Sequence, residues 1–148
     1  MKGLYRGFCR NENGTETIVL NGEKIKGEWK YGYLIERTEN DGEVIGDKIK
    51  WDMIIKSFIF PEFKEGCYEV LPETVCEAVR GLTDRNGKQV FEGDIFKNGS
   101  YPLAEVRYNE EFWEWSAKDF GGFEDKINEF DVDEVVGTIF DEQFADGV

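Results

Sequence analysis

The 148-residue chain contains no histidine. Histidine is the commonest general base and a frequent zinc ligand, so its absence excludes Ser-His and Cys-His nucleophile pairs and the usual zinc sites. The three cysteines, Cys9, Cys67 and Cys76, are odd in number and form no C-x-x-C pair. We therefore expect small, buried or half-buried free thiols in a reducing compartment, with a Cys67 to Cys76 cross-link as the alternative.

Long apolar runs are also lacking. No segment approaches the roughly 20 apolar residues that cross a bilayer, and residues 1–6 lead directly into polar residues instead of a signal-peptide core. Hydrophobic residues still make up 40% of the chain and aromatic residues 15%, a composition far from that of a disordered protein. We expect a soluble protein that folds without metals, cofactors or disulfides.

Basic residues are scarce, with 18 Lys or Arg against 32 Asp or Glu and a net charge of −14. Residues 1–70 hold 11 basic and 13 acidic side chains, whereas residues 71–148 hold 7 and 19. Nucleic-acid binding depends on Lys and Arg displacing counterions from phosphate, so direct binding is not expected. Residues 109–148, with 2 Lys and 13 acidic residues, have two interpretations: a decoy for nucleic acid, or a solubilising surface.

Turn signals recur at short intervals and predict strands between them. Asn86-Gly87 tolerates positive φ at both positions and predicts a type I′ hairpin turn. Further turns are predicted at Asn21-Gly22, Asn40-Asp41-Gly42 and Asn98-Gly99. Residues 51–60 have apolar spacings that suit a short helix, but their Ile and Phe content favours strands, which we predict.

The predicted fold is mostly β, a β-rich α+β class in which any helix is short. Residues 1–70 are expected to form an N-terminal β meander. Residues 71–148 are expected to form a small SH3-like barrel. Gly93 interrupts an apolar run and predicts a bulge or sharp corner of the kind that a small barrel needs.

Four aromatic residues in the second half have two interpretations. Trp113, Trp115, Tyr101 and Tyr108 could form a stacking platform for single-stranded nucleic acid. Acidic residues stand beside the two tryptophans, and one aromatic face of a β domain is usually its core. We predict burial in the core.

Carboxylates are the remaining candidates for chemistry. Asp131 and Asp133 would share one face of a strand, as a metal-dependent nuclease requires. Asp84, Asn86 and Glu92 offer oxygen ligands near a glycine, but their spacing does not fit a calcium-binding EF-hand loop. No phosphate-binding or dinucleotide-binding glycine motif is present. We predict no catalytic, metal or cofactor-binding residues.

The segments Gly81-Leu82-Thr83-Asp84, Asn86-Gly87-Lys88 and Phe91-Glu92-Gly93-Asp94-Ile95 resemble the signature of the YopX family, small proteins of bacteriophages and prophages. Residues 69–75 and 135–142 also fit, so the resemblance covers about residues 69–142. It implies a mostly β fold, a phage or prophage setting and the cytoplasm of a bacterium, but no catalytic residues. The structural signature comprises Gly81, Leu82, Asp84, Asn86, Gly87, Phe91, Glu92, Gly93, Asp94 and Gly137.

Three functions remain open at this point. The first is a non-enzymatic accessory protein that binds a host or phage protein through its β surface, with homo-oligomers formed through exposed strand edges. The second is an acidic mimic of DNA that inhibits a host nucleic-acid-binding protein. The third is a nuclease that uses carboxylates alone. The partner and the process remain open.

Overall fold

The computed structural model describes residues 4–62, 64–98, 101–119, 122–127 and 132–144. Within these ranges the chain forms β-strands and two short 3-10 turns, at Pro72–Thr74 and Glu142–Phe144. The strands are β1 (Tyr5–Arg10), β2 (Glu16–Leu20), β3 (Glu23–Ile45), β4 (Lys48–Phe60), β5 (Tyr68–Val70), β6 (Cys76–Thr83), β7 (Gln89–Phe91), β8 (Asp94–Asn98), β9 (Tyr101–Asn109), β10 (Glu114–Asp119), β11 (Glu124–Lys126) and β12 (Glu134–Thr138). The prediction of a mostly β fold is confirmed.

The first sheet contains the first seven strands, in the order β5-β4-β3-β1-β6-β7, with β2 paired to β3. Strands β2 to β5 follow one another as hairpins, in agreement with the predicted meander. Strand β1 departs from it, because it pairs with β3 and β6 instead of β2. The 23 residues of β3 are long enough to pair with β2, β1 and β4 in succession.

The second sheet has five strands in the order β11-β10-β9-β8-β12. Its end strands are not paired with each other among the described residues, so the SH3-like closure predicted for residues 71–148 is not confirmed. The chain passes from the first sheet to the second at Gly93, which has a φ of 83°. The predicted corner is therefore present, but it joins two sheets. Whether residues 1–70 and 71–148 are independent domains stays a prediction.

Two apolar cores lie against these sheets. The larger one takes residues from both sheets: Val79, Leu82, Val90, Phe96, Ala104, Val106, Ile127, Val132 and Val135. The smaller one surrounds Phe8, Ile18 and Ile25, and Phe140 from the end of the chain packs against it. Phe140 also accepts a backbone hydrogen bond from Val19 N–H at 2.8 Å. The segment after β12 therefore returns to the N-terminal sheet and connects the two sheets.

The region between residues 28 and 60 differs from the prediction in one respect. Residues 51–60 are a strand, as predicted. The turn predicted at Asn40-Asp41-Gly42 is wrong, because β3 continues to Ile45 and reverses at Gly46-Asp47. Gly46 has a φ of 66°, which suits glycine, whereas Gly42 lies opposite Trp51 in the paired strands. The hairpin is consequently longer than the sequence suggested.

The other turns follow their Asn-Gly signals more closely. Asn21 and Gly22 both have positive φ (51° and 80°), as a two-residue hairpin loop requires. At Asn86-Gly87 the hairpin is confirmed, but only Gly87 has positive φ (81°), so the predicted type I′ geometry is wrong. Gly87 N–H instead donates to Asp84 O at 2.9 Å. Asn98-Gly99 lies partly outside the described residues.

All three cysteines are free, as predicted. Cys76 is buried and Cys9 is half-buried, whereas Cys67 is exposed, contrary to the expected burial. Burial raises the pKa of the Cys76 thiol, with Arg6 opposing that effect. In the part of the chain that the structure describes, no helix is long and apolar enough to span a membrane.

Candidate functional site

Asp84 holds the signature turn between β6 and β7. Its Oδ1 accepts backbone hydrogen bonds from Asn86 and Lys88, both at 2.9 Å. Its Oδ2 accepts one from Val135 at 3.1 Å, across to β12. Burial acts to raise the pKa of Asp84, but these three N–H donors outweigh burial and hold the pKa below its usual value. The Asp84 carboxylate therefore stabilises the turn between β6 and β7 and connects it to β12.

The second part of the signature is the corner Glu92-Gly93-Asp94. Asp94 is fully buried, and its Oδ2 accepts a hydrogen bond from Phe91 N–H at 2.8 Å. Its Oδ1 lies 2.5 Å from Nη1 of Arg6, a residue of β1. Arg6 Nη2 donates to Glu92 O at 3.1 Å. One buried arginine from the first strand therefore binds both sides of the corner at which the chain changes sheets.

Arg6 is 2% exposed and lies between aromatic rings. Its guanidinium carbon is 4.9 Å from the ring centre of Trp29 and 5.0 Å from that of Phe91. Burial lowers its pKa, but the neighbouring Asp94 raises it more, so Arg6 stays protonated. Burial raises the pKa of Asp94 in spite of Arg6. Sequence reasoning missed Arg6, because the 88 residues that separate it from Asp94 hide the pair.

Two glycines of the signature permit close contacts or irregular pairing. Gly81 has a φ of 78° and lies in the register shift between β6 and β7. Gln89 fills that irregularity, since its Nε2 donates to Val79 O at 2.7 Å. At Gly137 a Cβ would lie 2.4 Å from Asp141 Oδ2 and 2.8 Å from the ring of Phe144. Leu82 and Phe91 of the signature are buried. The signature residues described here serve the fold.

A cavity of about 310 Å³ lies where the two sheets meet. Glu73, Glu92 and Glu105 line it together with Arg107 and Tyr108. Burial raises the pKa of Glu92, with further contributions from Glu77 and Glu105. Burial likewise raises the pKa of Glu105, which Arg107 opposes. The cavity is acidic and suits a cationic group better than a phosphate.

The carboxylates considered for metal binding are not brought together by the described structure. Asp131 lies outside the described residues. The backbone of Asp133 accepts a hydrogen bond from Arg85 N–H at 3.0 Å. The carboxylate of Asp84 is occupied by backbone donors. Among the residues that the structure describes, no group of three Cys, Asp or Glu side chains could hold a metal ion.

The aromatic residues near 110 separate into two environments. Trp115 packs against the larger core, and its ring meets Tyr108 edge to face at 5.2 Å. Trp113 is 82% exposed and Tyr108 is 40% exposed, so the predicted burial is wrong for both residues. Trp113 has a positive φ of 55° in the turn before β10 and therefore does not alternate with Trp115. The side chain of Tyr101 lies outside the described part of the structure.

The most exposed apolar surface lies on the hairpin of β3 and β4. Residues 37–56 of this hairpin, here called the ribbon, pair only with each other among the described strands. Directly paired residues share a face, and faces alternate along each strand. One face carries Val44, Ile49, Trp51, Met53 and Ile55, all at least half exposed, together with Thr38, Asn40 and Gly42. We call it the apolar face.

The opposite face of the ribbon is charged and balanced. It carries four cations and four anions: Arg37, Lys48, Lys50, Lys56, Glu39, Asp41, Glu43 and Asp52. Glu39 pairs with Arg37, and with Lys56 at 3.0 Å. The ribbon therefore has a water-compatible side and an apolar side that no described residue covers. Sequence reasoning missed this surface because it placed a turn at residues 40–42.

The two sheets, the corner bound by Arg6 and the ribbon define a mainly β protein. The sequence model of the YopX protein family matches residues 34–143. Because this range covers more than half of the chain, the protein belongs to the YopX family, in agreement with the resemblance of its signature. No curated protein matches the chain significantly.

Proposed function

We propose that this YopX-family protein is a phage- or prophage-encoded accessory protein of the bacterial cytoplasm, which acts by binding a protein and catalyses no reaction. The apolar face of the ribbon carries the proposal. Trp51 is 65% exposed and Met53 is 76% exposed, on a surface without any charge. Contiguous exposed apolar surface of this size marks interaction sites in soluble proteins.

The buried polar groups support a non-enzymatic role. Asp84 uses its carboxylate to hold three backbone amides, and Asp94 uses its own to bind Arg6 and Phe91 N–H. Both acids have little solvent exposure, and their hydrogen-bonding capacity serves the turn and the corner. The chain has no histidine to act as a general base near neutral pH.

A capture experiment tests the proposal. A tagged chain and an untagged copy are expressed together in the bacterial host, captured, and washed at low and high salt. We expect a bound protein that survives high salt, because an apolar contact is not screened. The variant Trp51→Thr with Met53→Thr should lose it, since Thr keeps β propensity but removes apolar surface.

The matched control removes the same number of apolar side chains from the opposite face. Ile45→Thr with Ile54→Thr alters residues of the same ribbon that point away from the apolar face. This variant should retain the captured protein. Equal capture by both double variants would overturn the proposal that the apolar face is the binding surface.

Mimicry of DNA is a second candidate, favoured by the charge of residues 109–148, which hold 13 acidic residues against 2 Lys. A mimic would bind a host nucleic-acid-binding protein through spaced carboxylates. Its complex would form at low salt and dissociate at high salt. In the same capture experiment the host protein would be lost on the high-salt wash. At low salt both double variants of the ribbon would capture as much of it as the wild-type chain does.

A further inference from the structure

The apolar face of the ribbon is an amphipathic surface whose occupant can be argued from its chemistry. An isolated two-stranded ribbon is at best marginally stable in water and usually needs a third strand or a packed layer. Neither edge of residues 37–56 is paired to another described strand, and no described residue forms a layer over the apolar face. The ribbon thus needs a cover that is present whenever the chain folds.

We infer that this cover is the apolar face of a second copy of the same chain, stacked face to face. The inference rests on the proposed function, because it identifies the protein bound at the surface proposed there. The fold also offers exposed strand edges for pairing, but the large apolar side chains that gain most from removal from water lie on the apolar face.

The charge distribution of the chain argues against a basic partner on the apolar face. The chain carries a net charge of −14, so a partner attracted by charge would be basic and would approach the acidic second sheet. Within the ribbon the apolar face presents no carboxylate to such a partner, since its paired rows hold only Val44, Gly42, Asn40 and Thr38 opposite Ile49, Trp51, Met53 and Ile55. The nearest carboxylate on this side is that of Glu36, just beyond the inner end of the ribbon. The partner surface must itself be uncharged and apolar, and every copy of the chain provides one.

The opposite face of the ribbon permits two copies to approach. Its four cations and four anions cancel, so this face adds no net charge to the repulsion between two acidic molecules. Glu39 lies between Arg37 and Lys56, which keeps this face paired within one copy. Repulsion between the acidic bodies remains, and added salt should therefore strengthen the dimer.

The available area fits a weak but specific dimer. Five apolar side chains that are half exposed or more offer on the order of 500 Å² per copy. Stacking two copies would bury about 1,000 Å², close to the lower limit for a biological interface. Trp51 lies across Gly42, since a Cβ there would be 2.8 Å from its ring. The ring of Trp51 therefore lies flat on the ribbon and leaves its outer side open to a partner.

Sedimentation velocity of the purified full chain tests the inference. The measurement is made over a range of protein concentrations with reductant present, because the exposed Cys67 could otherwise cross-link copies. We expect the wild-type mass to rise from 17.1 kDa to twice that value with concentration. Trp51→Thr with Met53→Thr should weaken dimerisation about 100-fold or more. Ile45→Thr with Ile54→Thr should leave it unchanged.

The outcomes separate this inference from the proposed function. A wild-type chain that stays at 17.1 kDa at all concentrations overturns the dimer. If the capture experiment then still recovers a different protein through the apolar face, the proposed function stands without the dimer. If neither measurement depends on the face, both fail. Circular dichroism of the two double variants verifies that each is folded, so a loss of dimer reports on the face alone.

Discussion

Replacing Arg6 by methionine would leave the carboxylate of Asp94 buried without its cation. Arg6 is 2% exposed and Asp94 is fully buried, with 2.5 Å between Nη1 and Oδ1. Methionine keeps the length of the aliphatic stem, so packing against Trp29 and Phe91 is largely preserved. The cost is therefore mainly electrostatic. Removing one partner of a buried ion pair costs about 3–5 kcal/mol.

The size of the effect in a melting experiment follows from the chain length. A chain of this size loses about 2–4 °C in Tm for each kcal/mol, so Arg6→Met should lower Tm by roughly 6–20 °C. The difference in Tm between Arg6→Met and the wild type should be smaller near pH 4. Without the cation the pKa of Asp94 rises further, and a protonated carboxyl costs less to bury.

The matched control is Arg10→Met in the same strand. Arg10 forms an exposed pair with Glu23, at 3.9 Å, and exposed pairs contribute about 0–1 kcal/mol. Chemical and thermal denaturation of both variants measure the difference. An Arg6→Met variant as stable as Arg10→Met at pH 7 would refute the conclusion that this pair joins the two sheets.

Three further predictions concern the signature and the cavity. Asp84→Asn should lower the free energy of unfolding by about 1–3 kcal/mol, because one backbone N–H loses its acceptor. The pKa of Asp84 is lowered, so this stability is present above the usual carboxyl pKa and is lost as pH falls through the lowered pKa; the difference between variant and wild type in urea unfolding should therefore shrink in acid. Glu92→Gln should raise Tm at pH 7, since the raised pKa of Glu92 means that its charge destabilises the fold as pH rises; a gain that persists at pH 4 would contradict that cause. Gly137→Ala should cost about 1–3 kcal/mol through overlap with Phe144, and a Tm equal to that of the wild type would show that the contact is not tight.

Local signals in the sequence predicted much of the fold. Asn21-Gly22 formed the expected hairpin turn because its backbone preference depends on two adjacent residues. Gly93 formed the expected corner because glycine readily adopts the positive φ of 83° found there. The turn at residues 40–42 failed because a glycine within a strand can also make room for a neighbouring ring, here that of Trp51. Propensity alone does not distinguish these two uses of glycine.

The features tied to function depend on distant pairing and were harder to predict. Arg6 reads as one charged residue of an N-terminal strand, and only the pairing of the sheets brings it to Asp94. The apolar face requires the register in which Val44 lies opposite Ile49. A one-residue change of that register would exchange the two faces of one strand relative to the other. The closed barrel also depended on long-range pairing, and it is not confirmed.

Oxidation of Met53 by hydrogen peroxide, followed by mass spectrometry, tests most directly whether the apolar face is a covered surface. Met53 is 76% exposed in a single chain, so its thioether should react freely in dilute solution. The account predicts that its oxidation rate falls several-fold as protein concentration rises through the dimer transition measured by sedimentation, by mass action. A rate that stays equal to that of the unfolded chain at every concentration would contradict it.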